Sequence, residues 1–410
     1  MTETVDEFRT RARAWLKDNM PPAIFDPWDR RAEGRRDVER ALQRKLWDGG
    51  FAGICFPAEY GGLGLPVEYQ HAFTEESAPY DMPYGINLPT LSILAATLVD
   101  FGSHEQKVRH LPAILRGEEL WVQLLSEPSG GSDLAGCLTR ADRDGDVFVL
   151  NGSKIWSSGA AESDYGLCLV RTNWDVPKHR GLTMFILKIH QPGVKVEQIR
   201  QVDGSMEFCQ EFFDDVHVPV TDVVGEIDDG WTVATRLLTH EREAVGGGSK
   251  YTSGRFVGHD ADSGDNTLVQ MMRGLGLERD AVARQLIGEA HARQFVSQAL
   301  VQRISRGVAT GKAPPTSGAI LKLFAATNQM RTIEIGVELA GQAAAAWPVA
   351  EPKTAEQQLS EMSLWRQGLS LGGGSNEMQR NIVSERVLGM PREYAADREV
   401  PYREVKRTGG

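Results

Sequence analysis

Two short segments of the sequence carry residue types that could do chemistry. In Gln123-Leu-Leu-Ser-Glu-Pro-Ser-Gly-Gly-Ser-Asp133, the hydroxyls of Ser126 and Ser132 and several backbone N–H groups fall within one short arc. Ser129, Gly130 and Gly131 leave room for a flat ligand to approach the main chain. Taken alone, such a segment also reads as an ordinary polar loop. The second segment, Asn151-Gly-Ser-Lys-Ile-Trp-Ser-Ser158, reads as a turn followed by a strand that ends Trp-Ser-Ser. A strand tryptophan commonly belongs to a core, but two buried hydroxyls beside it would need partners. Together the segments suit a stacked, hydrogen-bonded aromatic heterocycle. Other signatures fail. Gly307-Val-Ala-Thr-Gly-Lys312 is too short for a phosphate loop and is followed by Ala313 where a Ser or Thr is needed. No Gly-x-Ser-x-Gly or His-Glu-x-x-His occurs, and the nine histidines are isolated, so no metal site is expected.

The elements that must position these segments follow from periodicity. From residue 3 to about 117 apolar residues recur at helical spacing, as in Phe8, Ala12, Trp15 and Leu16, and again in Val38, Leu42, Leu46 and Trp47 before Gly49-Gly50. Between about 120 and 225 the runs Val147–Leu150, Tyr165–Val170 and Thr183–Leu187 are short, β-branched and aromatic. Asp144-Gly145 and Asn151-Gly152 read as hairpin turns. Helical texture returns over 228–245, 266–306, 315–345 and 355–389, with a loop at 246–265. This α–β–α order contains no βαβ alternation, so a dinucleotide-binding Rossmann domain is not expected.

Composition narrows the function classes. The 410 residues carry 45 Lys+Arg against 56 Asp+Glu, a net charge of −11, with 41% apolar and 25% charged residues. That balance argues against a nucleic-acid surface, which needs a basic patch. No run approaches the ~18 consecutive apolar residues of a membrane span, and the first residues lack a signal-peptide pattern. The four cysteines (Cys55, Cys137, Cys168 and Cys209) are scattered, which predicts reduced, mostly buried thiols in a cytoplasmic protein.

Longer strings carry a resemblance. Leu125-Ser-Glu-Pro-Ser-Gly-Gly-Ser-Asp133 followed by Asp144-Gly-Asp-Val-Phe-Val-Leu-Asn-Gly-Ser-Lys-Ile-Trp156 resembles the signature of the FAD-dependent acyl-CoA dehydrogenase family. Pro57-Ala-Glu-Tyr-Gly-Gly62, Asp215-Val-His-Val-Pro219, Gly374-Ser-Asn-Glu-Met-Gln-Arg380 and Glu385-Arg-Val-Leu-Gly-Met-Pro391 agree with it in the right order. The resemblance implies an α+β multidomain fold. Its parts are an N-terminal helical domain (1–118), a middle β-barrel (119–227), a C-terminal four-helix bundle (228–392) and a tail (393–410). It further implies that Leu125, by its backbone, and Ser126 contact the flavin. Trp156 lies against the isoalloxazine ring with Ser157 and Ser158 beside it, Ser158 bonding the ring edge. Ser132 serves both cofactor and the pantetheine arm of acyl-CoA, and Arg242 holds that arm. Ser375 and Glu377 meet the adenosine half of FAD.

The general base is where this sequence departs from the commonest pattern of the family it resembles. The usual glutamate position holds Gly373, which keeps only a backbone N–H for flavin or thioester carbonyl. A minority of the family carries the glutamate on an earlier helix, and Leu237-Leu-Thr-His-Glu-Arg-Glu243 places Glu241 there. Glu241 is therefore the expected α-proton base, although Glu-Arg is also a common solvated pair. An Arg-x-x-Phe-Gly segment is missing from 250–285, where Arg273 and Arg279 lack motif support, and a Gln-x-x-Gly-Gly contact is altered to Glu338-Leu-Ala-Gly-Gln342. These departures are similar to those of a bacterial subgroup of α2β2 heterotetramers that share FAD between unlike chains, often on sterol side-chain thioesters. The expected activity is conversion of an acyl-CoA to a trans-2-enoyl-CoA with transfer of electrons to an external acceptor, a flavoprotein or similar. The expected assembly is a homo-oligomer or a heterotetramer with a paralogous chain. Alternatives are a non-catalytic subunit that completes a partner's FAD site, and a flavin oxidase or monooxygenase. The acyl group itself is not readable; loss of the late glutamate and the run Gly246–Gly248 hint at a roomy site.

Overall fold

A computed structural model describes residues 3–23, 34–245, 249–252, 267–345 and 355–405. The expected loop at 246–265, with the Gly246–Gly248 run, lies outside the described residues apart from 249–252. The chain forms two compact units, one of residues 1–200, 205–258 and 395–410, the other of 201–204 and 259–394.

The first unit opens with helices. Helix α1 (Val5–Asn19) starts at a Thr4–Glu7 capping box and buries Phe8, Ala12 and Leu16, four residues apart. Helix α2 (Arg35–Asp48) buries Leu42 and Leu46 and stops at Gly49, with Gly50 at positive φ. Helix α3 (Val67–Ser77) adds Phe73, and Phe8, Phe51 and Phe73 meet at the centre of this cluster. The last part of the expected helical region, before residue 117, is divided. A short α4 (Tyr84–Asn87) leads into a π-helical segment Leu88–Ala95, then α5 (Ala96–Phe101) and α6 (His104–Leu115). The break before α6 is set by Gly102 and by the Ser103–Gln106 capping box. The stretch Tyr84–Phe101 is long and apolar enough to cross a membrane by length and composition, and 61% of it is buried inside the fold.

The middle of the chain is an eight-stranded sheet: β1 (Trp121–Leu124), β2 (Arg140–Asp144), β3 (Val147–Ser158), β4 (Tyr165–Arg171), β5 (Leu182–Lys188), β6 (Val194–Gln198), β7 (Phe208–Pro219) and β8 (Val223–Val224). Their order is β6-β7-β3-β2-β4-β5-β8, with β1 beside β4. Cys168, Val170, Phe185 and Leu187 of β4 and β5 share one apolar core with Phe148, Leu150, Phe213, Val216 and Val218 of β3 and β7. Leu167, Leu169, Met184 and Ile186 face the other way, into the core that includes Leu91, Leu94 and Leu98. Burial on both faces explains the near-continuous apolar runs of β4 and β5. Asp144-Gly145 forms the β2–β3 hairpin, with Gly145 at φ 59°. Asn151-Gly152 does not turn the chain. It is a bulge inside β3, where the Asn151 amide exchanges hydrogen bonds with Asp215 on β7 (2.9 and 3.0 Å). A side chain at Gly152 would collide with Thr139.

Helix α7 (Gly230–Val245) also belongs to the first unit, where it packs on Leu88–Ala95, α5 and β5. The second unit holds α8 (Thr267–Gly274), α9 (Ala281–Ala309), α10 (Gly318–Ala340), α11 (Ala355–Trp365) and α12 (Asn376–Ile382). Its core joins Leu268, Met271, Ile335, Leu339 and Leu359, and Arg331 on α10 bonds Glu289 on α9 through two nitrogens, each at 3.0 Å.

One buried ion pair ties the Ser126–Asp133 arc to the sheet. The fully buried Lys154 ammonium on β3 donates to Glu127 Oε1 (2.8 Å) and to the Leu125 carbonyl (3.2 Å). The Glu127 carboxylate also accepts from the N–H groups of Leu138 (2.6 Å) and Thr139 (2.9 Å). Burial works to raise the Glu127 carboxyl, but Lys154 and these donors outweigh it and hold it down at about 2. The carboxylate therefore contributes stability above its ordinary value of 4.5, and the contribution is lost as pH falls from there toward about 2. Glu127→Gln leaves Lys154 charged and buried, so a loss of about 3–5 kcal/mol is expected, together with a flatter acid limb in melts across that window. Equal melting temperatures for both proteins would contradict the assignment.

Candidate functional site: an exposed tryptophan beside a glycine-rich arc

Trp156 is 54% exposed although it sits in β3, in the middle of a domain. Its backbone has φ 67°, and the β3–β7 register shifts between Ile155 and Ser157 at this residue. A left-handed conformation is costly for a bulky residue and persists only where the surroundings enforce it. Here they do. On one side Ile155 N–H donates to the Ser126 carbonyl (2.9 Å), and on the other the buried Ser157 hydroxyl donates to Glu211 Oε2 on β7 (2.9 Å). The bulge turns the indole outward, where its edge meets Phe208 at 5.9 Å. Ser158, the next residue but one, is exposed.

The structure thus brings Leu125, Ser126, Trp156 and Ser158 into one neighbourhood. Leu125 is buried, Ser126 is half-buried, and Ser132 is exposed at the tip of the arc. Around Gly130 and Gly131 the nearest atoms to an added Cβ would be 3.9 and 3.7 Å away, so the arc is open on that side. An aromatic face, flanking hydroxyls and an uncluttered main chain can together hold a flat heterocycle. Ser157 differs from its neighbours: its hydroxyl is committed to Glu211 inside the sheet.

Glu241 and Arg242 lie on α7. Glu241 is half-buried, one turn on from Leu237 on the side that Ala234, Leu237 and Ala244 bury. The helix is oriented by a clamp: Asp100 at the end of α5 accepts from Arg236 Nε (2.5 Å) and pairs with His240 Nε2 (2.9 Å). His240 is buried, so the residue that follows it is fixed in direction. Arg242 is exposed and donates to Thr239 Oγ1 (3.0 Å).

Gly373, Ser375 and Glu377 belong to the second unit. Gly373 has φ 68°, and its carbonyl accepts from the Gln379 amide (3.1 Å). Ser375 caps α12, its hydroxyl accepting from Met378 N–H (3.3 Å). Glu377 is exposed in the first turn, where its own N–H and Ser375 hold its carboxyl below the usual range. Glu338, at the altered contact, binds Arg331 at 2.7 Å.

Sequence reasoning missed Glu211, Lys154–Glu127 and Asp100–His240, because each depends on a partner distant in the chain. A lysine and a glutamate within the two singled-out segments were the available signal. Among the described residues the cysteines are free, with Cys137, Cys168 and Cys209 buried. Burial pushes the Cys137 and Cys168 thiols up to about 12. No cluster of metal-ligating side chains occurs among the described residues.

The helical–sheet–helical order along the chain is one in which a sheet region separates two helical ones. Models of the acyl-CoA dehydrogenase N-terminal, middle and C-terminal domains match residues 2–118, 123–216 and 228–388. The chain belongs to the acyl-CoA dehydrogenase family of oxidoreductases, whose membership implies a flavin cofactor. Acyl-CoA dehydrogenase IpdE1 of Mycobacterium tuberculosis is 33% identical over 395 residues, covering 95% of this chain and 99% of the relative. The solved Tcur3481-Tcur3483 steroid ACAD is 28% identical with a TM-score of 0.76, over 96% of this chain and 99% of that one. The ChsE4-ChsE5 complex from Mycobacterium tuberculosis is 26% identical with a TM-score of 0.71, again over 96% and 99%.

Glu211 supplies a test of how the bulge is held. It is fully buried, Oε1 has no hydrogen-bond partner among the described residues, and burial pushes the carboxyl up to about 7 against the opposing pull of Ser157 and Lys154. Between its ordinary 4.5 and about 7 the unfolded carboxyl is ionised while the folded one keeps its proton, so stability falls as pH rises through that window. Glu211→Gln keeps a partner for Ser157 and removes the titration. It should melt higher than the parent at about pH 8, by up to about 3 kcal/mol, and match it at about pH 4. Identical pH slopes in the two proteins would contradict the assignment.

Proposed function

We propose that this chain, with FAD bound, dehydrogenates an acyl-CoA thioester to the trans-2-enoyl-CoA, with Glu241 as the base that removes the α-proton. The observation that carries the reading is Trp156, an aromatic face turned outward by a strained bulge next to exposed Ser158 and an open glycine-rich arc. This set fits an isoalloxazine ring. Trp156 offers the platform, Ser158 a hydroxyl for the ring edge, and Ser126 and the Leu125 backbone further polar contacts. Ser157 supports the platform from beneath through Glu211. In the second unit, Ser375 and Glu377 are the residues for the adenosine half. Flavin, when bound, supplies the hydride acceptor for Cβ.

The chain itself supplies the proton half of the reaction. Glu241 is half-buried on a clamped helix, and a carboxylate positioned in this way can act as a general base. Ser132 at the arc tip and Arg242 on α7 are both exposed, as groups that hold the pantetheine arm must be. Electrons then leave to an external acceptor, a flavoprotein or similar.

The relatives support a substrate class and an assembly. A solved relative is named for steroid substrates and another as a complex of two named chains, which supports a steroid-derived acyl group and a paralogous partner for this chain. The missing Arg-x-x-Phe-Gly segment and the commitment of Glu338 to Arg331 support the partner further, since both weaken a self-contained FAD site. The same departures favour a second reading, in which the partner does the chemistry and this chain completes its cofactor site. Glu241→Gln in the assembled enzyme separates the two. Turnover should fall at least ~10²-fold with FAD content unchanged; unchanged turnover would transfer the base to the partner chain.

A further inference from the structure

The Ser126–Asp133 arc is held at both ends, and the second hold comes from a part of the chain far away in sequence. Just after Asp133 the chain makes a 3-10 turn, Leu134–Gly136. Tyr402 reaches this turn from the tail: its hydroxyl donates to the Gly136 carbonyl (2.6 Å), and its ring is buried. The ring stacks on Trp174 (5.7 Å, 25°) and lies under the guanidinium of Arg171, 3.8 Å from the ring centre. Arg171, itself fully buried, donates to the carbonyls of Ala135 (2.6 Å), Cys137 (3.0 Å) and Lys178 (3.2 Å). Lys178 in turn bonds both carboxylate oxygens of Asp133 (3.0 and 2.8 Å). The tail is tied down along its backbone: Tyr402 N–H donates to Val176 O (2.9 Å), Arg403 N–H donates to Trp174 O (3.1 Å), and the Arg403 side chain pairs with Asp175. A guanidinium between an aromatic ring and three carbonyls is fixed in position, since a planar cation loses little freedom on making several bonds.

We infer that Pro401–Val405 is a strap that sets the position of the Ser126–Asp133 arc, with Tyr402 as its positioning residue. The arc thus has two anchors, Glu127–Lys154 at its start and Arg171–Tyr402 after its end, and the exposed Ser132 is suspended between them. The first anchor is internal to the sheet. The second depends on the tail, so ligand affinity at the arc depends on residues that never touch the ligand. This inference rests on the proposed reading that the arc receives flavin and the acyl-CoA arm.

The experiment compares Tyr402→Ala and Tyr402→Phe with the parent in the assembled enzyme, by hydrogen–deuterium exchange and by steady-state kinetics. In Tyr402→Ala the amides of 126–137 should exchange at least ~10-fold faster while those of β4 and β5 are unchanged. KM for acyl-CoA or the dissociation constant for FAD should rise ~10-fold, with kcat within ~3-fold of the parent. Tyr402→Phe, which keeps the ring and loses only the hydroxyl, should fold normally and recover most of both effects. Unchanged exchange at 126–137 in folded Tyr402→Ala would overturn the strap. Faster exchange with unchanged KM and FAD affinity would overturn the arc as a ligand site, leaving the strap a purely structural hold.

Discussion

The buried pair Lys154–Glu127 is the constraint on which the rest of the site depends. A lysine placed at a fully buried position of β3 must have its charge answered, and Glu127 answers it from the arc. That requirement fixes the arc against the strand, because Glu127 also binds the N–H groups of Leu138 and Thr139 and so cannot shift independently. Lys154 faces Glu211 across the β3–β7 ladder, and Glu211 holds Ser157. The strained Trp156 lies between these two buried side-chain contacts. Strain at an exposed aromatic is sustained by buried polar bonds on both flanks, which is how a fold keeps an unfavourable conformation available for binding.

The architecture was largely legible in the sequence, and the reason is periodicity. Helical spacing in α1 and α2 and the apolar runs of β4 and β5 are local signals, and each produced the expected element. The misreading at Asn151-Gly152 has a physical cause. Asn-Gly suits any place that needs unusual backbone angles, and a bulge bonded through Asn151 to Asp215 uses the same chemistry as a turn. Likewise the π-helical segment and the break at Gly102 go unmarked in the sequence, since they leave the apolar spacing almost intact. In the site, Trp156 and its hydroxyls were readable because a tryptophan followed by two serines fits poorly in a core. Their supports were not readable. Ser157–Glu211, Asp100–His240 and Gly136–Tyr402 pair residues 54, 140 and 266 apart. No local pattern encodes such partners.

The departures from the commoner family pattern acquire a consistent meaning beside this geometry. With Gly373 carrying no side chain to accept a proton, the proposed base is the Glu241 carboxylate on α7. The Asp100 clamp on Arg236 and His240 gives that helix a defined rotation. The helix also packs within the same unit as Trp156.

The measurement that tests this account most directly is the anaerobic absorption spectrum of the flavin in the FAD-loaded protein, with and without a candidate paralogous chain. Straight, branched and steroidal acyl-CoA thioesters are added in turn. The account predicts that the oxidised flavin band bleaches with at least one of them, and with the steroidal thioester most completely. A flavin band that no acyl-CoA of the panel reduces would contradict it.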